Sequence, residues 1–134
     1  MSRISYYKSL FLVAAIYDLI LGLVFTFLPK SAFNLIGIPD KAPDFVGYLS
    51  LIGAYLLIIG IAYILIYRGK LQKNIDLILI GLLYKFAYCS IVFYYFMIGD
   101  LPHIIFLVLF GFIDLIMLLL MIECYVTLRR KVEI

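Results

Sequence analysis

Asp18, Lys85 and Asp114 each interrupt an apolar run long enough to cross a bilayer. A charged residue at the centre of such a helix costs about 2.5 to 3.5 kcal/mol, and those retained usually mark ligand or ion pathways, proton relays or counter-ions. Measured from the inner ends of their helices by helical rise, the three lie at roughly 12, 15 and 16 Å, with Tyr55 at a similar level. Each helix thus offers one polar group to a single layer. Tyr17 and Tyr88 neighbour that layer, so the candidate ligand or proton site is Asp18, Lys85, Asp114, Tyr55, Tyr17 and Tyr88. Two acids and one base leave a carboxylate without a counter-charge. A carboxyl that takes up and releases a proton at mid-depth is what proton-coupled transport requires, and the same layer could hold a small polar or cationic ligand between tyrosine rings. The competing reading is packing alone, with Lys85 paired to one Asp and the other Asp hydrogen-bonded to Tyr55, Tyr17 or Tyr88.

The elements that must carry these groups follow from composition. Of 134 residues, 67% are apolar and 14% charged, against about 45 to 50% apolar in soluble domains. The chain reads as an all-α polytopic membrane protein, an antiparallel bundle of four transmembrane helices forming a single domain over 1–134. The spans are expected at about 10–28, 45–67, 75–98 and 101–125, with an outer interfacial connection at 29–44 and a short basic lead at 1–9. The run from Leu10 to Leu28 is about 19 residues, enough for roughly 30 Å of hydrocarbon. It is too long for the apolar core of a secretory leader and lacks a convincing cleavage site, so it is expected to remain as the first helix.

Small residues flank the charges at helical spacing. Ala14, Asp18 and Gly22 recur every four residues, as do Gly81, Lys85 and Cys89, so each set shares a face on which a neighbouring helix can approach closely. Gly53 and Gly60 likewise lie on one face of the second span, whose polar content is Ser50, Tyr55 and Tyr63. Pro29 is expected to stop the first helix. In the connection that follows, Ser31 to Ile36 reads as an amphipathic turn capped by Ser31 and ended by Gly37, either a lid or a plain connector. Asp100 is the expected cap of the fourth helix, with Pro102 and His103 in its first turn. As the only histidine, His103 invites a pH-sensing role, against the blander reading of a solvated interfacial side chain.

Other chemistries lack their parts. Cys89 and Cys124 are separated by roughly 20 Å of depth and cannot pair within one chain. One histidine and no Cys-x-x-Cys leave no metal site and no bis-histidine haem, and no cofactor is expected. There is no catalytic Ser-His-Asp set, phosphate loop or dinucleotide fingerprint, so no catalytic residues are assigned. The net charge of +3 is spread along the flanks of the spans, which excludes nucleic acid and reads as a topology signal. Arg3, Lys8, Arg68, Lys70, Lys73, Arg129, Arg130 and Lys131 fall on one side and only Lys30 and Lys41 on the other, which predicts both termini inside. Asp-Leu-Ile-Leu occurs at 18–21 and at 76–79, but Asp76 stands at a helix start, so no internal duplication is inferred.

Tyr17-Asp18 with Gly22, the Phe27-Leu28-Pro29 to Gly37-Ile38-Pro39 connection, Gly81-Leu82-Leu83-Tyr84-Lys85 and Gly111-Phe112-Ile113-Asp114 resemble a group of small, uncharacterised bacterial four-helix membrane proteins, loosely DoxX-like. The resemblance extends over nearly the whole chain and implies four-helix topology and a bacterial inner membrane, without implying a reaction. The expected partners are the lipid bilayer and a small molecule or ion, in a homo-oligomer or larger membrane complex. Binding or transport through the polar layer is the leading expectation, a structural or accessory subunit the alternative, and an intramembrane isomerase the third.

Overall fold

The computed structural model describes residues 2–132; Met1, Glu133 and Ile134, which belong to the domain span 1–134 read from the sequence, lie outside the described residues. The described chain is all-α. Its helices are α1 (Arg3–Phe27), the short α2 (Pro29–Leu35), α3 (Gly47–Arg68), α4 (Ile75–Met97) and α5, which begins as one turn at Ile104–Phe106 and passes through a π-helical stretch at Leu107–Ile113. It continues as the α-helix Asp114–Val132. α1, α3, α4 and α5 are each long and apolar enough to cross a membrane. They run alternately up and down. One end of the bundle gathers the start of α1, the 69–74 turn and the last turns of α5; there Tyr7 and Thr127 bring their hydroxyls within 3.4 Å. The opposite end holds α2 and the 98–103 turn.

The last helix runs on to Val132 instead of ending at about 125, and three other boundaries depart from the sequence reading, each for a local reason. The first helix begins at Arg3 instead of about residue 10, because Ser2 caps it by accepting from the Ser5 N–H and because Tyr7 is buried against the bundle. The expected lead is therefore helix. α2 starts at Pro29, with Leu28 in the cap position, so Ser31 lies inside the helix and does not cap it. A proline whose missing N–H costs nothing at a first helical position explains that start. α5 starts at Ile104 instead of 101, and its cap is His103, not Asp100: His103 Nδ1 accepts from the Ile105 N–H at 3.0 Å. His103 thus has a structural task outside the first turn.

Both ends of helix at the α2 side close in the same way. Gly37 and Gly99 have φ of 81° and 76°, and the next residue in each case bonds back five positions, Ile38 N–H to the Phe33 carbonyl and Asp100 N–H to that of Tyr95. This is the left-handed glycine cap that satisfies the last carbonyls of a helix. It lets α2 fold over the bundle end, where Phe33 is buried and its ring lies 5.9 Å from that of Phe106.

α1 and α3 form the tightest pair. A Cβ on Gly22 would lie 2.9 Å from the Gly53 carbonyl oxygen, one on Gly53 would collide with the Thr26 backbone, and one on Gly60 would lie 2.7 Å from Leu19 Cγ. Glycines on both helices thus let the two backbones approach until dispersion between them is large, the main source of helix affinity in lipid. The interior has two apolar clusters, one around Tyr7, Phe11, Tyr63, Met121 and Leu128 and the other around Phe25, Phe33, Leu56, Val92 and Phe110. Between them sits the polar layer.

Candidate functional site

α1, α4 and α5 bring Asp18, Lys85 and Asp114 together. Lys85 Nζ donates to Asp18 Oδ1 at 3.0 Å, to Asp18 Oδ2 at 3.1 Å and to Asp114 Oδ1 at 2.9 Å. An ammonium has three N–H bonds and each finds a carboxylate oxygen. Asp18, Lys85 and Asp114 are 1, 0 and 3% exposed, so the cluster is sealed from both lipid and water. The sequence left open whether both acids reach the lysine; they do.

Aromatic rings complete the enclosure. Lys85 Nζ stands 5.3 Å from the centroid of the Tyr17 ring and 5.6 Å from that of Tyr63, distances at which a ring face attracts a cation. Each tyrosine is in turn fixed by its hydroxyl, Tyr17 donating to the Leu109 carbonyl of α5 and Tyr63 to the Gly81 carbonyl of α4. Tyr17 thus packs against the charged cluster. Tyr55 does not: it is 53% exposed on the outer face of α3, and the tyrosine that α3 contributes is Tyr63. Depth along the helix had favoured Tyr55, but angle around it decides. Two residues beyond Gly53, Tyr55 is turned about 200° away from the face that meets α1, whereas Tyr63, three residues beyond Gly60, stays near it.

The π-helical stretch of α5 immediately precedes Asp114 and takes part in the site. Its wider turn loosens the usual ladder of carbonyls, and two of those carbonyls accept from other helices: Leu109 from Tyr17, and Gly111 from Cys89 Sγ at 3.6 Å. Such single-turn irregularities often occur at functional positions. Both cysteines are buried and free.

Tyr88 lies one turn beyond Lys85 but on another face. Its ring stacks on Phe110 at 5.5 Å and meets Tyr84 edge-on at 4.8 Å. Tyr84 and Tyr88 line a groove of about 560 Å³ that runs along α4, with Ile52 of α3, Phe106 and Phe110 of α5 and the 100–102 segment completing its lining. The Tyr84 hydroxyl is buried beside that of Tyr88, yet the two do not make a hydrogen bond of ordinary geometry. The charged cluster does not line this groove or any other cavity described below. No group of three or more His, Cys, Asp or Glu side chains among the described residues is arranged to hold a metal.

Comparison with family models, with curated proteins and with solved structures finds no match to this chain.

Proposed function

We propose that this multi-pass membrane protein binds a small, mainly apolar molecule that enters from the bilayer, in the groove along α4, while the Asp18–Lys85–Asp114 cluster holds the helices that form its walls in place. The observation that carries the reading is the division of labour between neighbours on α4. Lys85 is fully enclosed and saturated, whereas Tyr84 and Tyr88, on either side of it in sequence, line an open groove. Its volume of about 560 Å³ falls within the range of small-molecule pockets, roughly 300 to 1,000 Å³. The lining is apolar apart from phenols and Asp100, and a buried O–H at its inner wall suits a ligand with one hydrogen-bond acceptor. Ile91 and Tyr95 are exposed on the helix surface, which gives the groove a side door to lipid. The basic asymmetry and the DoxX-like resemblance support a bacterial inner membrane with both termini in the cytoplasm.

A membrane-partitioning alkyl alcohol bearing a diazirine tests this in lipid nanodiscs. Labelling is expected to saturate with probe concentration and to map to α4 between Ala87 and Tyr95. Ala87→Trp, which fills the groove from a lining position, should abolish the saturable part while leaving thermal stability within a few degrees. Labelling that never saturates and spreads evenly over lipid-facing side chains would overturn the reading. The sealed state of the charged cluster favours the second reading, a structural or accessory subunit, and that outcome would promote it.

A further inference from the structure

A second cavity, of about 410 Å³, lies at the end of the bundle where α1 begins and α5 ends. Lys8 of α1 and Lys70 and Lys73 of the turn before α4 line it, together with Gln72 and the side chains of Leu71 and Leu128; no acidic residue does. None of the three lysines is ion-paired among the described residues, where the ion pairs shown belong to Lys85. Three cations from two separate elements thus converge on one space without a counter-charge among the described residues. Their mutual repulsion favours an anion there.

Depth narrows the choice of anion. Lys8 is ten residues from Asp18 along one helix, roughly 15 Å, which is half the hydrocarbon thickness when Asp18 is at mid-depth. Lys73 is twelve residues before Lys85 and falls a little further out. The cavity therefore lies at the level of the phospholipid headgroups. Leu71 and Leu128 are each 4% exposed and give it an apolar floor. A soluble anion gains nothing from that floor, whereas a headgroup with its glycerol and upper chain does. Basic pockets between helices at this depth are known headgroup sites.

We propose that this cavity seats the phosphate-bearing headgroup of an anionic phospholipid, with Lys8, Lys70 and Lys73 as its charge partners. The site is separate from the groove along α4 and stands or falls independently of it. Native mass spectrometry of the purified protein with equal amounts of phosphatidylglycerol and phosphatidylcholine provides the test. The phosphatidylglycerol adduct should dominate, and Lys8→Gln, Lys70→Gln and Lys73→Gln should each lower its preference about fivefold. Lys70→Arg with Lys73→Arg should retain it, which separates lost charge from lost fold. Arg3→Gln with Lys30→Gln and Lys41→Gln removes as much charge as the three lysine changes combined, from positions outside the lining, and should leave the preference unchanged. Equal adducts of the two lipids in the unsubstituted protein, or an equal loss in that control, would overturn the site. Displacement of the lipid by inorganic phosphate at matched concentration would overturn the lipid as occupant.

Discussion

Lys85 is the residue on which the interior depends. With both acids ionised the cluster carries one net negative charge, and each of its hydrogen bonds is charge-assisted and shielded from water. Removing the ammonium strands two carboxylates in hydrocarbon. Lys85→Met is therefore expected to cost about 3 to 5 kcal/mol, measured by denaturant unfolding in bicelles. Combining it with Asp18→Asn and Asp114→Asn should recover part of that loss, because the stranded charges go with it; additive losses would contradict the coupling. The two acids should also differ. Asp18 accepts two of the three bonds and Asp114 one, so Asp18→Asn should be the more costly single change, by about 1.5 to 3 kcal/mol for a bond to a charged group. The contact itself was legible in the sequence through shared depth and the small residues one turn away. The role of Tyr63 was also written there, in its spacing from Gly60, but depth alone does not reveal the angle of a side chain around its helix.

At the scale of elements, two devices set the helices against one another. The first is the glycine contact of α1 and α3. Gly53→Ala would press a methyl into the Thr26 backbone and the Gly22 carbonyl, neither of which can rotate away, so a loss near 3 kcal/mol is expected, the upper end for overpacking. Gly37→Ala meets no atom within 4 Å and bears only the strain of its positive φ, about 1 to 2 kcal/mol. Parallel unfolding curves of the two variants check the order; a smaller loss at Gly53 would mean that the helices separate freely. The second device is the π-helical turn before Asp114. Nothing in Leu-Val-Leu-Phe-Gly-Phe-Ile announces it, since a residue of extra winding shifts the phase of an apolar pattern, and a run that is apolar all round has no phase to shift. The caps differ for another reason: Ser31 and Asp100 are good capping residues, but Pro29 starts α2 earlier with Leu28 in the cap position, and the imidazole of His103 caps α5.

At the scale of the whole molecule, the bundle has a basic end and an end with few cations. Arg3, Lys8, Arg68, Lys70 and Lys73 sit at the first, with Arg129 and Arg130 on the last turns of α5, while Lys30 and Lys41 sit at the second. That all three loops and both described chain ends divide between just two faces was legible from run lengths alone. The orientation proposed above, with the basic end in the cytoplasm, rests on the positive-inside bias and is open to direct test. Cysteines introduced at Lys41 and at Lys70, with Cys89 and Cys124 replaced by Ser, should respectively react and fail to react with an impermeant maleimide added outside intact cells. The reverse pattern would invert the orientation and would move the proposed headgroup site to the outer leaflet.

The order of the three charges along the chain has a consequence for biosynthesis. Asp18 precedes Lys85 by 67 residues and Lys85 precedes Asp114 by 29. At about 5 to 20 residues per second, a ribosome delivers the lysine roughly 3 to 13 s after the first acid and the second acid roughly 1.5 to 6 s later still. In the first interval the growing chain carries the Asp18 carboxyl with no Lys85 ammonium yet made to meet it. The counter-charge comes with α4 and the second acid with α5, so the cluster closes only when the last span has been made.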